Sequence, residues 1–183
     1  MRTILLAFLC LLLAAPARAD TAPWLALLTG NAIALMRHAD APGFADPPGF
    51  KLGDCATQRN LSDRGRAEAA AIGTMLRHRW VIPRRILSSP WCRCVDTATL
   101  LDLGGVETVE TFGNPIVWTD RRDALANGAR SVIGDWKGPG PLLIVTHGAL
   151  IAALTGYSPA SGEIVVVDNT LKEIGRITPP AVR

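Results

Sequence analysis

The sequence predicts a three-layer α/β/α sandwich with a mostly parallel central sheet. Short apolar runs alternate with segments of helical pattern along most of the chain, and histidines follow directly after two of the apolar runs. Alternating strands and helices are typical of a sheet covered by helices on both faces. Ligands of such sheets bind at the carboxyl ends of the strands, so the two histidines predict a functional site at that edge.

The amino terminus has the pattern of a secretory signal peptide. Arg2 precedes an apolar run over residues 4–15, and Ala17-Arg18-Ala19 supplies a small-residue cleavage pattern. A retained membrane anchor is disfavoured because the run is shorter than the roughly 20 residues of a membrane span. We expect cleavage after Ala19, a single domain over residues 20–183, and export to the periplasm or the medium with no membrane attachment after cleavage.

Composition narrows the class of partner. Hydrophobic residues make up 49% of the 183 residues, which supports one well-packed domain. The formal charge of +3 falls to about +1 when the two arginines of the predicted signal peptide, Arg2 and Arg18, are removed. No run of basic residues interleaved with aromatics is present, so we expect no nucleic-acid partner.

The first half of the predicted domain alternates strand and helix. Residues 33–37 form an apolar run typical of a buried strand, and residues 40–60, rich in proline and glycine, form a long loop. Ser62 is the expected N-cap of a helix that runs to about Arg79. Residues 85–88 form the next strand.

The second half continues the alternation. Ser89 and Pro90 predict the cap and first turn of a helix that ends near Leu101. The later predicted segments are a strand near 107–111, a weaker helix around 121–136, a strand over 142–145, a helix over 149–154, and strands over 163–167 and 172–177. The last two strands read as an antiparallel hairpin because Asp168-Asn169 is typical of a turn.

Three loops at the strand ends carry the candidate site residues. The first loop holds Arg37 and His38, the second holds Arg93, and the third holds His147. Arg93 falls in the first turn of its predicted helix, where free backbone N–H groups and the helix dipole favour an anion. Two guanidinium groups and two imidazoles gathered there form a receptor for a phosphate dianion, so a phosphoryl-transfer site is the leading hypothesis.

These motifs resemble those of the histidine phosphatase superfamily, which includes phosphoglycerate mutases and acid phosphatases. The resemblance lies in Leu-Met-Arg-His-Ala at 35–39, Ser-Ser-Pro-Trp-Cys-Arg at 88–93 with Thr97 beyond it, and Val-Thr-His-Gly at 145–148. Asn-Leu-Ser-Asp-Arg-Gly at 60–65 is similar to the small members without an inserted cap domain. Ala39 stands where the family usually has glycine.

The resemblance implies a role for each site residue. His38 is implied as the nucleophile that forms a phosphohistidine, which agrees with the ability of a neutral imidazole to act covalently. Arg37 and Arg93 are implied to hold the phosphoryl oxygens, His147 to donate to the same oxygens, and Arg59 to contact the substrate. No metal or cofactor is required, and the expected partner is a small phosphorylated substrate.

The sequence therefore predicts an exported, metal-independent phosphomonoesterase. Two alternatives remain open: a phosphatase for phosphorylated sugars of the lipopolysaccharide core, and a non-catalytic protein that binds phosphate or polyanions on the same fold. A mutase is disfavoured because secretion would separate it from glycolytic intermediates. No motif discloses the natural substrate or the oligomeric state.

The proton donor for the leaving group is the least determined residue. Many members of the superfamily carry it in a Leu-x-Glu-type pattern, which is missing here. Glu110 is the first candidate and Asp120 the second, and either could be a plain surface carboxylate. If neither acts, the enzyme should favour substrates with good leaving groups.

Other polar and aromatic residues have simpler expected roles. We expect a disulfide between Cys55 and Cys92, with Cys55 and Cys94 as the competing pair, because an exported protein can form one. Trp91 is expected to pack rather than to stack on substrate, and Phe50 is a candidate for the site entrance. His78, in a basic helix end, is expected to be solvated.

Overall fold

A six-stranded sheet forms the centre of the molecule in the computed structural model, which describes residues 21–30 and 32–182. The strand order is β3-β2-β4-β1-β5-β6. Pairing is parallel among the first four strands of this order, and it is antiparallel between β1 and β5 and between β5 and β6. The strands in chain order are β1 (Ile33–Arg37), β2 (Arg85–Ser88), β3 (Val106–Thr108), β4 (Leu142–Thr146), β5 (Ile164–Val167) and β6 (Glu173–Ile177).

Among the described residues, five α-helices cover the two faces of this sheet. They are α1 (Ala22–Thr29), α2 (Asp63–His78), α3 (Cys92–Leu100), α4 (Arg122–Gly134) and α5 (Gly148–Thr155). One apolar core joins α1, α2 and α3 to the sheet, and a second core joins α4 and α5 to its other face. The predicted three-layer sandwich with a mostly parallel sheet is confirmed.

The central strand β4 shows why this sheet needs helices on both faces. Leu143 and Val145 belong to one core, whereas Leu142 and Ile144 belong to the other, and all four are buried. Side chains alternate between the faces of a strand, so a run of consecutive apolar residues has two faces to bury.

Helix α2 begins and packs as its sequence predicts. The Ser62 side chain accepts a hydrogen bond from the backbone N–H of Gly65 at 3.0 Å, which caps the helix. Ile72 and Leu76 lie on the buried face. In the last turn of the helix, Arg77 donates to the backbone oxygen of Leu101 at 2.8 Å, which fixes α2 against the end of α3.

Two boundaries and one additional helix differ most from the prediction. Helix α3 begins at Cys92 with Trp91 as its N-cap, because the Ser89 hydroxyl bonds to the side chain of His147 instead of capping the helix. Strand β3 ends at Thr108, and the chain then turns through a short 3₁₀ segment that buries Phe112. Helix α1 was not predicted. It packs against β5 and β6 through Leu27.

The disulfide joins the two cysteines that the sequence favours. Cys55 and Cys92 are joined by a disulfide, and Cys94 is free and buried. A disulfide is typical of an oxidising compartment. The predicted signal peptide and its cleavage site lie outside the described residues, within which no helix is long and apolar enough to cross a membrane.

Candidate active site

The carboxyl ends of β1, β2 and β4 meet at one edge of the sheet and bring three distant loops together. Backbone hydrogen bonds continue past the strands, from His38 N–H to the oxygen of Thr146 at 2.9 Å and from Ser89 N–H to the oxygen of Val145 at 2.9 Å. A cavity of about 280 Å³ opens at this edge. Its lining includes all five residues predicted for the site: Arg37, His38, Arg59, Arg93 and His147.

His38 is held as a neutral imidazole with one nitrogen bonded to the backbone. Its Nδ1 lies 2.8 Å from the carbonyl oxygen of Ala39. Because a carbonyl only accepts, Nδ1 carries the hydrogen, and the lone pair is on Nε2. Burial lowers the pKa of His38 to about 3, and the positive charges of Arg93, Arg59 and Arg37 act in the same direction. The ring is thus unprotonated at neutral pH, with a free lone pair on Nε2.

His147 faces His38 and holds Arg93. The two rings lie edge to face with centroids 5.6 Å apart. Arg93 Nη2 lies 3.4 Å from Nδ1 of His147, and Nε2 of His147 lies 2.9 Å from the Ser89 hydroxyl. Burial lowers the pKa of His147 well below its usual value, so this ring is neutral too. Ser89 orients His147, a function its place in the motif did not disclose.

Arg93 forms a buried ion pair with a residue that sequence reasoning missed. Its Nη1 lies 2.7 Å from Oδ1 of Asp46, and the two side chains are 1% and 2% exposed. Asp46 also accepts from the backbone N–H of Arg59 at 3.0 Å and from the Trp91 indole at 3.1 Å. Burial alone would raise the pKa of Asp46, but these donors outweigh it and lower the pKa below its usual value. Asp46 is therefore a carboxylate.

The cavity retains an excess of positive charge and unused donors. Three arginines and one carboxylate line it, which leaves a net charge of +2 from these groups. The Nε atoms of Arg59 and Arg93 are buried and have no hydrogen-bond partner among the described residues. Buried donors of this kind need an acceptor, and a bound oxyanion supplies several. The arrangement is therefore suited to a phosphate dianion.

Two arginines are positioned by backbone oxygens. Arg37 Nη1 donates to the oxygen of Pro159 at 2.9 Å, and Arg59 Nη1 donates to the oxygen of Ala41. Gly148 makes room for Arg37, because a Cβ atom at position 148 would lie 3.2 Å from the Arg37 Cδ atom. The glycine after His147 is thus explained by close packing within the site.

Thr97 links the first two loops. Its hydroxyl accepts from the backbone N–H of Ala39 at 3.1 Å and donates to the backbone oxygen of Arg93 at 2.6 Å. These bonds tie the segment that carries His38 to helix α3. Ala39 is fully buried and has no left-handed backbone conformation, so its methyl group fits where the superfamily usually has glycine.

Neither candidate for the proton donor lies in the cavity lining. Glu110 is exposed and pairs with Arg121 at 3.0 Å, and Asp120 is exposed as well. The 3₁₀ segment after β3 turns Glu110 outward while it buries Phe112. Among the lining residues the only carboxylate is Asp46.

The aromatic residues near the site divide into packing and lining groups. Trp91 is fully buried and contacts the rings of Trp118 and His147, which confirms its packing role. Phe50 packs on Trp91 with ring centroids 5.9 Å apart and does not line the cavity, so the expectation that it forms the entrance is wrong. Phe44, from the same loop, lines the cavity instead.

Comparison with solved structures identifies the fold. The chain is similar to the SixA protein of Agrobacterium tumefaciens, with a TM-score of 0.59 and 22% identity over 82% of this chain and 99% of that chain. It is similar to the protein histidine phosphatase SixA complexed with tungstate, with a TM-score of 0.55 and 18% identity over 80% and 96% of the two chains. It is also similar to the mycobacterial glucosyl-3-phosphoglycerate phosphatase complexed with VO3, with a TM-score of 0.56 and 18% identity over 76% of this chain and 93% of that chain.

Comparison at the level of sequence identifies the motifs. No curated protein matches the chain. Residues 33–112 match the family model described as histidine phosphatase superfamily (branch 1). This segment contains Arg37, His38, Arg59 and Arg93, and His147 follows it. Over this segment, which is less than half of the chain, the chain is similar to that superfamily, and the solved structures share its fold.

Proposed function

We propose that the protein is a metal-independent phosphomonoesterase that works through a phosphohistidine on His38. The observation that carries the proposal is the neutral His38 ring, whose Nε2 lone pair is left free by the Nδ1 bond to Ala39. A phosphoryl group held by Arg37, Arg59 and Arg93 in the cavity would meet this lone pair.

The reaction has two steps. Nε2 of His38 attacks phosphorus, the P–N bond forms, and the P–O bond to the leaving group breaks. Water then attacks the phosphohistidine and releases inorganic phosphate. The guanidinium groups stabilise the charge on the three phosphoryl oxygens during both transfers, while His147 and Asp46 keep Arg93 in position.

The arrangement favours catalysis over binding alone. A protein that only binds phosphate gains more from a protonated histidine, which adds a positive charge and a donor. Here burial lowers the pKa of both His38 and His147, so neither ring adds charge at neutral pH. A neutral imidazole weakens the binding of an anion, but it keeps the lone pair that a nucleophile needs.

Export to the periplasm or the medium forms part of the proposal. The signal-peptide pattern of residues 1–19 and the Cys55–Cys92 disulfide support it. Residues 20–183 would then act as a single exported domain on a small phosphorylated substrate.

Substitution of single histidines tests the function. We expect His38→Ala to abolish hydrolysis of p-nitrophenyl phosphate while binding of inorganic phosphate, measured by calorimetry, largely survives. His78→Ala is the matched control, since this histidine is exposed at the end of α2. Wild-type protein that binds phosphate but hydrolyses no ester would contradict the proposal and favour the binding protein.

A further inference from the structure

The outer part of the cavity differs in chemistry from its floor. The charged lining residues are the three arginines that would hold the phosphoryl oxygens and Asp46, which pairs with Arg93. The remaining lining residues carry no charge, and five of them are apolar: Phe44, Ala45, Ile116, Val117 and Ala149. The leaving group of a bound phosphate ester would therefore meet an apolar surface.

Two residues of this surface project into solvent. Phe44 is fully exposed and Ile116 is 67% exposed, although both are large and apolar. They belong to separate segments, the loop after β1 and the segment between β3 and α4. Large apolar side chains exposed at the rim of a polar cavity are a common sign of a ligand-binding surface.

The lining also lacks a group that could protonate a leaving oxygen. Asp46, its only carboxylate, is engaged by Arg93, the Arg59 backbone and the Trp91 indole, all of which are donors that stabilise the ionised form. His38 directs its single hydrogen to Ala39. His147 accepts from Arg93 at Nδ1 and directs its single hydrogen, on Nε2, to the Ser89 hydroxyl. Asn114 and Ser158, the neutral polar lining residues, are not acids. No lining side chain is therefore placed to protonate the leaving oxygen, which favours a group that can leave as an anion.

We propose that the site is selective for aryl phosphates, phosphomonoesters whose aromatic ring packs on Phe44 and Ile116 and whose oxygen leaves as a phenolate. This inference rests on the proposed phosphatase function and names its substrate class. A phenol has a pKa of about 10, several units below that of an aliphatic alcohol. A phenolate is therefore a far better leaving group without a proton donor.

The chemical step balances without a further reagent. As Nε2 of His38 forms the P–N bond, the P–O bond to the ring breaks and its electron pair stays on the phenolate oxygen. Water then attacks phosphorus, the P–N electron pair returns to Nε2, and the products are inorganic phosphate and a proton that solvent transfers to the phenolate.

A substrate series tests both parts of the proposal. Phenyl phosphate has the ring and the good leaving group, benzyl phosphate has the ring with an alkoxide leaving group, and acetyl phosphate has a good leaving group without a ring. We expect kcat/KM for phenyl phosphate to exceed that for each of the others by at least about tenfold. A phosphotyrosyl peptide tests whether a protein supplies the aryl phosphate. The proposal is supported if kcat/KM for either phenyl phosphate or this peptide exceeds the values for benzyl phosphate and acetyl phosphate.

Variants of the rim supply the structural test. Phe44→Ser and Ile116→Ser should each lower the ratio of kcat/KM for phenyl phosphate to that for acetyl phosphate by roughly fivefold to tenfold. Ile82→Ser is the matched control, because Ile82 is 55% exposed and precedes β2, at the opposite edge of the sheet.

The outcomes separate this inference from the proposed function. Equal kcat/KM for benzyl and phenyl phosphate, or rim variants that leave the ratio at its wild-type value, would overturn selectivity for aryl phosphates. Hydrolysis that still depends on His38 in those experiments would leave the phosphatase function standing. Failure of the wild-type protein to hydrolyse any of the substrates would overturn both.

Discussion

At the scale of single residues, two imidazoles remain neutral beside three guanidinium groups. Burial is the main cause for both His38 and His147, and the positive charges of Arg93, Arg59 and Arg37 add to it. A neutral ring keeps its lone pair, which a nucleophile needs, and it also avoids charge repulsion with the arginines. The same property makes the stability of the fold depend on pH.

Stability should fall as the pH decreases below about 6.5. The unfolded chain then binds protons on both histidines, whereas folded His38 stays neutral down to a pKa of about 3. Protons bound only by the unfolded state lower the free energy of unfolding. We expect His38→Gln to reduce the slope of unfolding free energy against pH by up to about 1.4 kcal/mol per pH unit between pH 4 and 6.

Urea denaturation at several pH values measures this slope. His78→Gln, which alters the exposed histidine, should leave the slope as in the wild-type protein. A slope unchanged by His38→Gln would show that His38 titrates alike in the folded and unfolded states.

Asp46 has a different task, which is to neutralise Arg93 in the absence of substrate. We expect Asp46→Asn to lower the free energy of unfolding by about 3–5 kcal/mol, because a buried guanidinium loses its carboxylate. Inorganic phosphate should raise the melting temperature of this variant more than that of the wild-type protein, since it restores a negative charge.

The melting temperatures of Asp46→Asn and the wild-type protein are measured by thermal unfolding, once in phosphate and once in chloride at equal ionic strength. Asp120→Asn is the control, because Asp120 is exposed and does not line the cavity. The same phosphate-induced shift in Asp46→Asn and wild type would count against the neutralising role of Asp46.

At the scale of elements, α2 and α3 pack closely enough that a methyl group matters. A Cβ atom at Gly73 would lie 1.9 Å from the backbone oxygen of Leu101, just past α3. Gly73→Ala should therefore lower the free energy of unfolding by about 1–3 kcal/mol despite the better helix propensity of alanine. Gly105→Ala, where a Cβ atom meets nothing within 4 Å, should stay close to wild type in the same denaturation experiment.

The disulfide stabilises the long loop that supplies Asp46 and Arg59. It joins Cys55 in this loop to Cys92 at the start of α3, with a sequence separation of 37 residues. Reduction should cost about 2–4 kcal/mol of stability. Dithiothreitol should then lower the melting temperature of the wild-type protein but not that of the double variant Cys55→Ser, Cys92→Ser. Equal melting temperatures for oxidised and fully reduced wild type would refute this role.

Elements with a strong local signal could be predicted from the sequence, whereas those set by distant partners could not. The apolar run of β4 and the Ser62 cap of α2 are local signals, and both match the structure. The start of α3 was misplaced because Ser89 bonds to His147, which lies 58 residues away. Helix α1 lacks the polar face that is typical of a surface helix, so its sequence pattern does not predict a helix there.

The site shows the same division. Its histidines and Arg93 follow strands or begin a helix, so the topology alone predicted their convergence. Asp46 lies within a proline-rich loop whose path depends on the disulfide and on packing around Trp91. The need for a counter-charge beside the arginines was foreseeable, but the choice among the carboxylates of that loop was not.

At the scale of the whole molecule, the fold places charge and apolar surface where the proposed reaction needs them. The chain has a formal charge of only +3, yet the cavity lining has a net charge of +2 from its arginines and Asp46. Attraction for an anion is thus local to the carboxyl edge of the sheet. Helices on both faces bury that edge enough to keep the two histidines neutral.

The central claim is that His38 carries the phosphoryl group between two steps, and trapping that group tests it most directly. Protein mixed rapidly with ³²P-labelled substrate and quenched without acid should carry label on His38, and the label should be absent in His38→Ala and present in His78→Ala. Turnover without any label on His38 during rapid mixing would contradict the covalent mechanism.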